Sequence, residues 1–589
     1  MSDNRKHEAY RFRMDAAEMA RSRVHPIHEA NGDEERYASA NYAMSFTKGL
    51  EHDETTGLLK DAEHFRAFRK AVNEGFVEPF TFDVPGAPTK KRQWEAPTAG
   101  IVFELQGPDP QAVTMPPAPK LGSDELVYEM AEVYELALLR DVPFTEFESG
   151  DGIALDNATA RLNALTYKPV ADCCEGRPRK VDSTGEIDAQ TAFRGSSPGV
   201  EVGPYLSQFL LIGSEDTING TKLDDGFIGF GNQKIDQRVR IAKPKKDYLT
   251  DTGTWLKAQN GEDLRDNCQL FNAGYRFIAT PRDLATYVHD DALYQAYLNA
   301  CIVLLGMDAP FDPSFDNLSG GGKEGKFPKT GAQREAGGFA LWGGPHILTL
   351  VTEVATRALK AVRYQKFNNH MRLRPEALAA RIHYEPQMDG VDPSTRALFR
   401  QMKGALDGGP TSLLPAILNH NSLQNQKLHP PQGGTLLLPM AFQEGSPMHP
   451  SYGAGHATVA GACVTILKAY FDTSAVFIAP EGGEPKFKRY KAGEMGVVYR
   501  PKPNGTALVR GGIDVPLTLE GELNKLAANI SIGRNMAGVH FFSDYYDSVR
   551  MGEEIAIGLL EEQALGYKTD PFVLSVPTFD GKLVRIGRR

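Results

Sequence analysis

The sequence predicts a mainly α-helical protein with small β-hairpins toward its C-terminal end, on three observations. Apolar residues recur at three- and four-residue spacing in one segment after another, most clearly at Leu126, Met130, Val133, Leu136 and Leu139. Strand-like stretches bounded by turn residues are short and sit late in the chain. No internal repeat of solenoid length is visible.

Residues 1–122 mix short helical patterns, such as Asp61 to Val72, with proline-rich connections that include APTAGIVFELQGPDP and Pro116, Pro117 and Pro119. They read as an N-terminal extension wrapping a helical body of residues 123–589. That body opens with a helix capped by Ser123 and stopped before Pro143. A second helix is expected over Ala154 to Tyr167, then the loop-rich CCEGRPRKVDSTGE and the apolar GPYLSQFLLIG. Residues 212–265, rich in Gly, Asp, Asn and Lys, read as long loops, and Arg282 to Leu305 as a return to helix. A long apolar helix starts at His346 and must stop near Leu373, because Pro375 disfavours helical geometry at Arg374. Further helices are expected at Pro393 to Ala405, Thr411 to Asn419, His456 to Tyr470, Leu519 to Met536 and Phe541 to Leu560. Short hairpins follow from Phe477 to Val515 and at the end, where FVLSVPTFDGKLVRIG turns at Asp580 and Gly581.

Composition limits the function. With 65 Lys and Arg against 75 Asp and Glu, the 589-residue chain carries a net charge of -10, which argues against a general nucleic-acid binder. No run of eighteen apolar residues occurs, so no membrane span is expected. The start, MSDNRKHEAYRFRMDAAEMARSR, lacks the charged-then-apolar order of a secretory signal, and a soluble, cytoplasmic protein is the expectation. Cys173, Cys174, Cys268, Cys301 and Cys463 are odd in number and without metal-site spacing, and read as mostly buried reduced thiols. SFDNLSGGGKEGKFPKTG reproduces the glycine and lysine spacing of a phosphate loop at Gly320, Gly325 and Lys326. Phe327 stands where Ser or Thr should hold magnesium, and Pro328 opposes helix entry, so nucleotide binding there is rejected.

The chemistry gathers around His449 to Cys463, HPSYGAGHATVAGAC. Two histidines, His449 and His456, flank a turn that Gly453 and Gly455 permit, and Ala457, Ala460, Gly461 and Ala462 allow the following helix to pack closely. A buried helix start there attracts anions. On these residues alone, a turn and a packed helix with two incidental histidines fits equally well. Two other segments are also unusual. Lys366 and Arg374, eight apart, lie on roughly one side of a helix, with Arg374 freed by the break at Pro375. Arg534 and His540, six apart, reach one centre only if a helix ends near Gly538, and Asp544 is spaced to hold one nitrogen of His540.

The order K-x7-RP, a GxGH turn and R-x5-H-x3-D resembles the shared signature of vanadium-dependent haloperoxidases and the related acid phosphatases, and the stretch from about Pro345 to Asp547 resembles the long algal and cyanobacterial bromoperoxidases. The resemblance implies a helical-bundle fold of that type, with the active site built from about residues 345–547. It implies vanadate as cofactor, bonded by His540 and held by Lys366, Arg374, Arg534 and the backbone N–H of Gly455. An oxyanion taken out of water needs several fixed cations, each pair near 4 Å worth about 4 kcal/mol at an effective dielectric of 20. His456 takes the family's acid–base role as peroxide enters. His449 and Arg363 stand where bromoperoxidases differ from chloroperoxidases, so bromide and iodide are the expected halides. The partners implied are hydrogen peroxide, halide and small organic acceptors, with homo-oligomeric assembly, a dodecamer included, contacts through the N-terminal extension, and structural calcium. Where the family has serine before the Gly of GH, this chain has Ala454, which predicts weaker vanadate binding or altered reactivity. Phosphomonoester hydrolysis at the same oxyanion site and a non-catalytic oxyanion-binding scaffold are the alternatives.

Overall fold

The computed structural model describes the chain apart from residues 1, 76–90, 171–175, 267–269, 318–338, 409–411, 481–482, 492, 568–572 and 588–589. The rejected phosphate loop and Cys173, Cys174 and Cys268 lie outside the described residues. Cys301 and Cys463 are both buried.

Helix α1 (Ser2–Ser22) opens the chain. It is polar and exposed, so it has no apolar stripe by which periodicity could announce it. Helix α2 (Ala62–Glu74) starts where the Asp61 carboxylate accepts from Glu63 N, and it buries Phe65, Phe68 and Val72 in a small core shared with Phe367 and Met371. Helix α3 (Asp124–Leu138) starts at the expected cap, Ser123 Oγ accepting from Leu126 N at 3.3 Å. An unlabelled helix at Ile153–Asn163 follows.

Residues 212–265 are not simply loops. Strands β1 (Phe227–Phe230) and β2 (Gln233–Asp236) form a hairpin, and β3 (Val239–Ala242) pairs with β4 (Phe271–Arg276). Between them Asp251 caps a helix over Thr252–Gln259. Each strand of the hairpin has only four residues, and Ile228 is the one buried residue of the pair, too little for alternation to register. The helical stretch expected over Arg282 to Leu305 forms two helices, α4 (Pro281–Asp290) and α5 (Gln295–Gly306). Asp291, with φ -65° and ψ 146°, leaves the helix in extended geometry and ends α4.

Helix α6 (Gly344–Tyr364) continues into a wider π-helical segment at Gln365–His370, and Met371 at φ 45° turns the chain out. Arg374 is extended and precedes helix α7 (Pro375–Tyr384). Lys366 and Arg374 therefore do not share one helix face as their spacing predicts; the widened turn and Met371 separate them, and only folding reunites them. After two further helices, Pro393–Asp407 and Leu413–Asn425, comes α8 (Gly455–Tyr470), in which every residue but His456 is buried. Strands β5 (Val476–Ile478), β6 (Lys486–Lys488), β7 (Gly496–Pro501) and β8 (Leu508–Ile513) form one antiparallel sheet in the order β6-β5-β7-β8, more than the separate hairpins expected. Helices α9 (Leu519–Met536) and α10 (Phe542–Ala564) follow, and β9 (Val573–Pro577) pairs with β10 (Leu583–Gly587) around Asp580 and Gly581 as the turn residues predict.

Helix α8 sits at the centre, packed on α6, α9 and α10. The approach to α10 is close on both sides: a Cβ on Gly461 would lie 1.9 Å from Val549 O, and one on Gly552 2.0 Å from Thr458 O. The small residues of α8 thus let two backbones meet and fix where its N-terminus points. Among the described residues no helix is long and apolar enough to cross a membrane.

Candidate active site

Helix α9 ends at Met536, and Gly538, at φ 86°, redirects the chain so that His540 precedes α10. At the third position of α10 the Asp544 carboxylate accepts the N–H of Phe541 at 3.0 Å. The same oxygen takes the Nδ1–H of His540 at 2.7 Å. The network thereby assigns the proton to Nδ1 and leaves Nε2 as the unprotonated ring nitrogen, which accepts from Arg374 Nη1 at 3.0 Å. Burial alone would raise the Asp544 carboxyl; Arg372, His540 and Ser451 hold it well below the usual carboxylate range. Burial and the Arg374 charge push His540 far down, so it is neutral.

Behind this histidine the contacts run deep. Arg372 donates to Asp544 Oδ1 and to Glu129 Oε2, each at 2.9 Å. Arg374 spends Nε on His449 O at 2.9 Å, Nη1 also on Val539 O at 2.7 Å, and Nη2 on His449 Nδ1 at 2.7 Å. Lys366 Nζ donates to the carbonyls of Pro450 and Ser451 at 2.7 and 3.0 Å. Among the described residues neither cation has a carboxylate ion-pair partner. Burial, and then the repulsion of its charge by Arg374 and Arg363, drives Lys366 well below its ordinary value, and burial lowers Arg374 to about 9.

The facing wall is built by α8 and α4. Ala454 is the residue before α8, its N–H donating to Ser548 Oγ at 2.8 Å, and Gly455 is the first helical residue. His456 Nε2 lies 3.0 Å from Asp291 Oδ1, the residue freed by the end of α4. Burial lowers His456 and Asp291 partly restores it, so the ring is neutral at neutral pH. Arg534 donates to Val288 O at 2.6 Å, while its Nε is buried without a hydrogen-bond partner among the described residues, as is Nη1 of Arg363. His449, Gly455, His456, Arg363, Arg534 and His540 line one cleft of about 330 Å³. Lys366, Arg374, Asp544 and Ala454 stand behind its surface.

These residues fit an oxyanion. Two buried guanidinium nitrogens lack partners, a helix N-terminus opens on the cleft, positive charge is in excess, and an unprotonated imidazole nitrogen stands at the surface. Residues 435–564 match the family model of the VCPO second helical-bundle domain. Over 620 residues the chain is 40% identical to a vanadium-dependent bromoperoxidase of Corallina pilulifera, covering 98% of this chain and 97% of the relative. The chain belongs to the vanadium-dependent bromoperoxidase family. It is also 30% identical over 592 residues to the vanadium-dependent bromoperoxidase of Ascophyllum nodosum, with 99% and 93% covered. The homohexameric structure of the second vanadate-dependent bromoperoxidase of Ascophyllum nodosum superposes with a TM-score of 0.75 at 25% identity, over 99% of this chain and 90% of that one.

For a bromoperoxidase-family chain, the sequence reading missed the residues that hold the named ones. Asp291 lies 165 positions before His456, and Glu129 more than 400 before Ser543, whose N–H it accepts. Arg372 and Ser451 are close in sequence to expected residues, yet nothing local distinguishes them from other polar neighbours. Glu95, whose Oε2 is 3.5 Å from His449 Nε2, lies more than 350 residues before it in the chain. Among the described residues no group of three or more His, Cys, Asp or Glu side chains is placed to hold a metal ion, so the structural calcium implied by resemblance gains no ligand set.

Proposed function

We propose that this cleft holds vanadate and that the chain oxidises bromide, and iodide, with hydrogen peroxide to hypohalous acid, which halogenates small organic acceptors. The observation that carries the reading is the convergence of buried, carboxylate-free cations on a neutral His540 whose outer nitrogen bears no proton. In this reading His540 Nε2 is the metal ligand, and Lys366, Arg374, Arg534 and the Gly455 N–H hold the oxyanion's oxygens. Bound vanadate supplies the Lewis acidity that activates peroxide toward halide. His456, neutral and seated on Asp291, would accept a proton from hydrogen peroxide and give it back later in the cycle. The Asp291 carboxylate stabilises the imidazolium formed in between. His449 and Arg363 face the halide side. His449 Nδ1 lies 2.7 Å from Arg374 Nη2, which can only donate, and 3.1 Å from the Pro450 carbonyl, which can only accept; the shorter, charge-assisted contact favours Nδ1 as the acceptor and Nε2–H as the donor presented to an anion.

We further infer a homo-oligomer, for which the homohexameric relative and the exposed Tyr10, Met14, Phe103 and Leu105 of residues 1–122 are the support. The test of function is reconstitution. Orthovanadate added to metal-free protein should switch on bromination of a diketone by peroxide and bromide. Vanadate-independent hydrolysis of p-nitrophenyl phosphate with no bromination would replace this reading with phosphatase chemistry.

A further inference from the structure

The carboxylate of Glu95 is the feature of the cleft that the reaction does not explain. Its backbone N–H donates to Met448 O at 3.0 Å, which ties residue 95 to the chain immediately before His449. Oε2 lies 3.5 Å from His449 Nε2 and 3.9 Å from Arg363 Nη2, and Oε1 lies 3.9 Å from Arg92 Nη2. These separations exceed good hydrogen bonds, so the carboxylate faces its cations without being locked to any of them. The side chain is 44% exposed and has a way out toward solvent. Two of these three neighbours are also the donors an anion would use: with Nδ1 engaged by Arg374 and Pro450, His449 offers Nε2–H, and Arg363 Nη1 has no hydrogen-bond partner among the described residues. A halide entering between them meets the Glu95 carboxylate at the same place.

We propose that Glu95 sets the halide affinity of the cleft, its carboxylate competing with the incoming anion for His449 and Arg363. The inference rests on the bromide-oxidising reading above. It makes Glu95 a specificity-determining residue contributed by the N-terminal segment, in contact with the halide site and not with the oxyanion.

Steady-state kinetics on vanadate-loaded Glu95→Gln give the first test. The bromide KM should fall about tenfold relative to the peroxide KM, equivalent to ~1.4 kcal/mol. Glu95→Ala should shift the ratio in the same direction. A bromide KM that stays at the wild-type value, or rises in both variants as expected if Glu95 merely orients His449, overturns the inference. Line broadening in bromine NMR, recorded on the vanadate-loaded proteins without peroxide, reads bromide affinity independently of turnover. Half-maximal broadening should come at about tenfold lower bromide in Glu95→Gln, and equal affinities overturn the inference. Absence of vanadate-dependent bromination in the wild type would sink the functional reading instead, and the NMR titration would still decide Glu95.

Discussion

The two walls of the cleft are built on different principles. On the His540 side every polar group is bound in depth: His540 to Asp544, Asp544 to Arg372, Arg372 to Glu129, and Arg374 to two histidines and two carbonyls. On the His456 side binding capacity is left over. Arg534 Nε, the second oxygen of Asp291 and one oxygen of Glu444 are buried without hydrogen-bond partners among the described residues, and the His456 side chain keeps 17% exposure. A saturated network fixes one tautomer and one ring orientation, which a metal ligand requires. An unsaturated, partly exposed one leaves His456 free to take and release protons, as the proposed acid–base role asks of it.

The largest effect is expected on the saturated side. His540→Ala removes the ligand in the proposed mechanism, and vanadate-dependent bromination should fall to background; substantial turnover in a vanadate-loaded variant would refute the ligand role. On the other wall, His456→Ala should reduce kcat by about 10² to 10⁴-fold, the usual contribution of a general acid–base group. Equilibrium dialysis against vanadate should show much less change than for His540→Ala. If His456→Ala loses vanadate as completely as His540→Ala, the two walls do not divide binding from proton transfer.

The division also explains what could be read in the sequence. His540 and Asp544 lie four residues apart, and Gly538 announces the helix end that brings Arg534 and His540 to one centre, so this wall was legible as local spacing. The central helix α8 and its neighbour α9 were legible too, His456 to Tyr470 as an apolar run with small residues and Leu519 to Met536 as a helical pattern behind the cap Thr518. Asp291 was not, because the break between α4 and α5 lies inside one continuous helical pattern. Its role depends on a contact across 165 residues that no periodicity encodes. The position of Lys366 was seen, but the widened turn at Gln365–His370 that aims it is a backbone irregularity produced by tertiary packing.

A third variant tests the saturated wall by stability. In Asp544→Asn an amide would face the donors of His540, Ser451 and Phe541, and Arg372 would lose one of its two carboxylates. Breaking such a buried pair costs about 3–5 kcal/mol. Denaturant unfolding should show this loss, whereas Asp291→Asn on the unsaturated wall should lose less stability and a larger share of activity. Equal destabilisation by both would mean that the two networks are equally structural.

The smallest expected effect is at Ala454, and there the structure gives two separable consequences of a hydroxyl. Ala454 is the N-cap residue of α8, extended at φ -84° and ψ 123°, with no side chain to accept from the first helical N–H groups. Serine in that geometry caps the helix and stabilises by about 0.5–2 kcal/mol. The Cβ of residue 454 is buried behind the cleft, next to Gly455 on its surface. A serine Oγ turned toward the cleft would instead donate to the oxyanion and tighten vanadate by up to about tenfold, roughly one neutral hydrogen bond. One hydroxyl cannot spend its orientation on both tasks at full strength. Ala454→Ser that unfolds at higher denaturant with unchanged vanadate affinity assigns the hydroxyl to the helix. Tighter vanadate in the variant, with stability gained only when vanadate is present, assigns it to the oxyanion and extends the donor set of the cleft to the N-cap of α8.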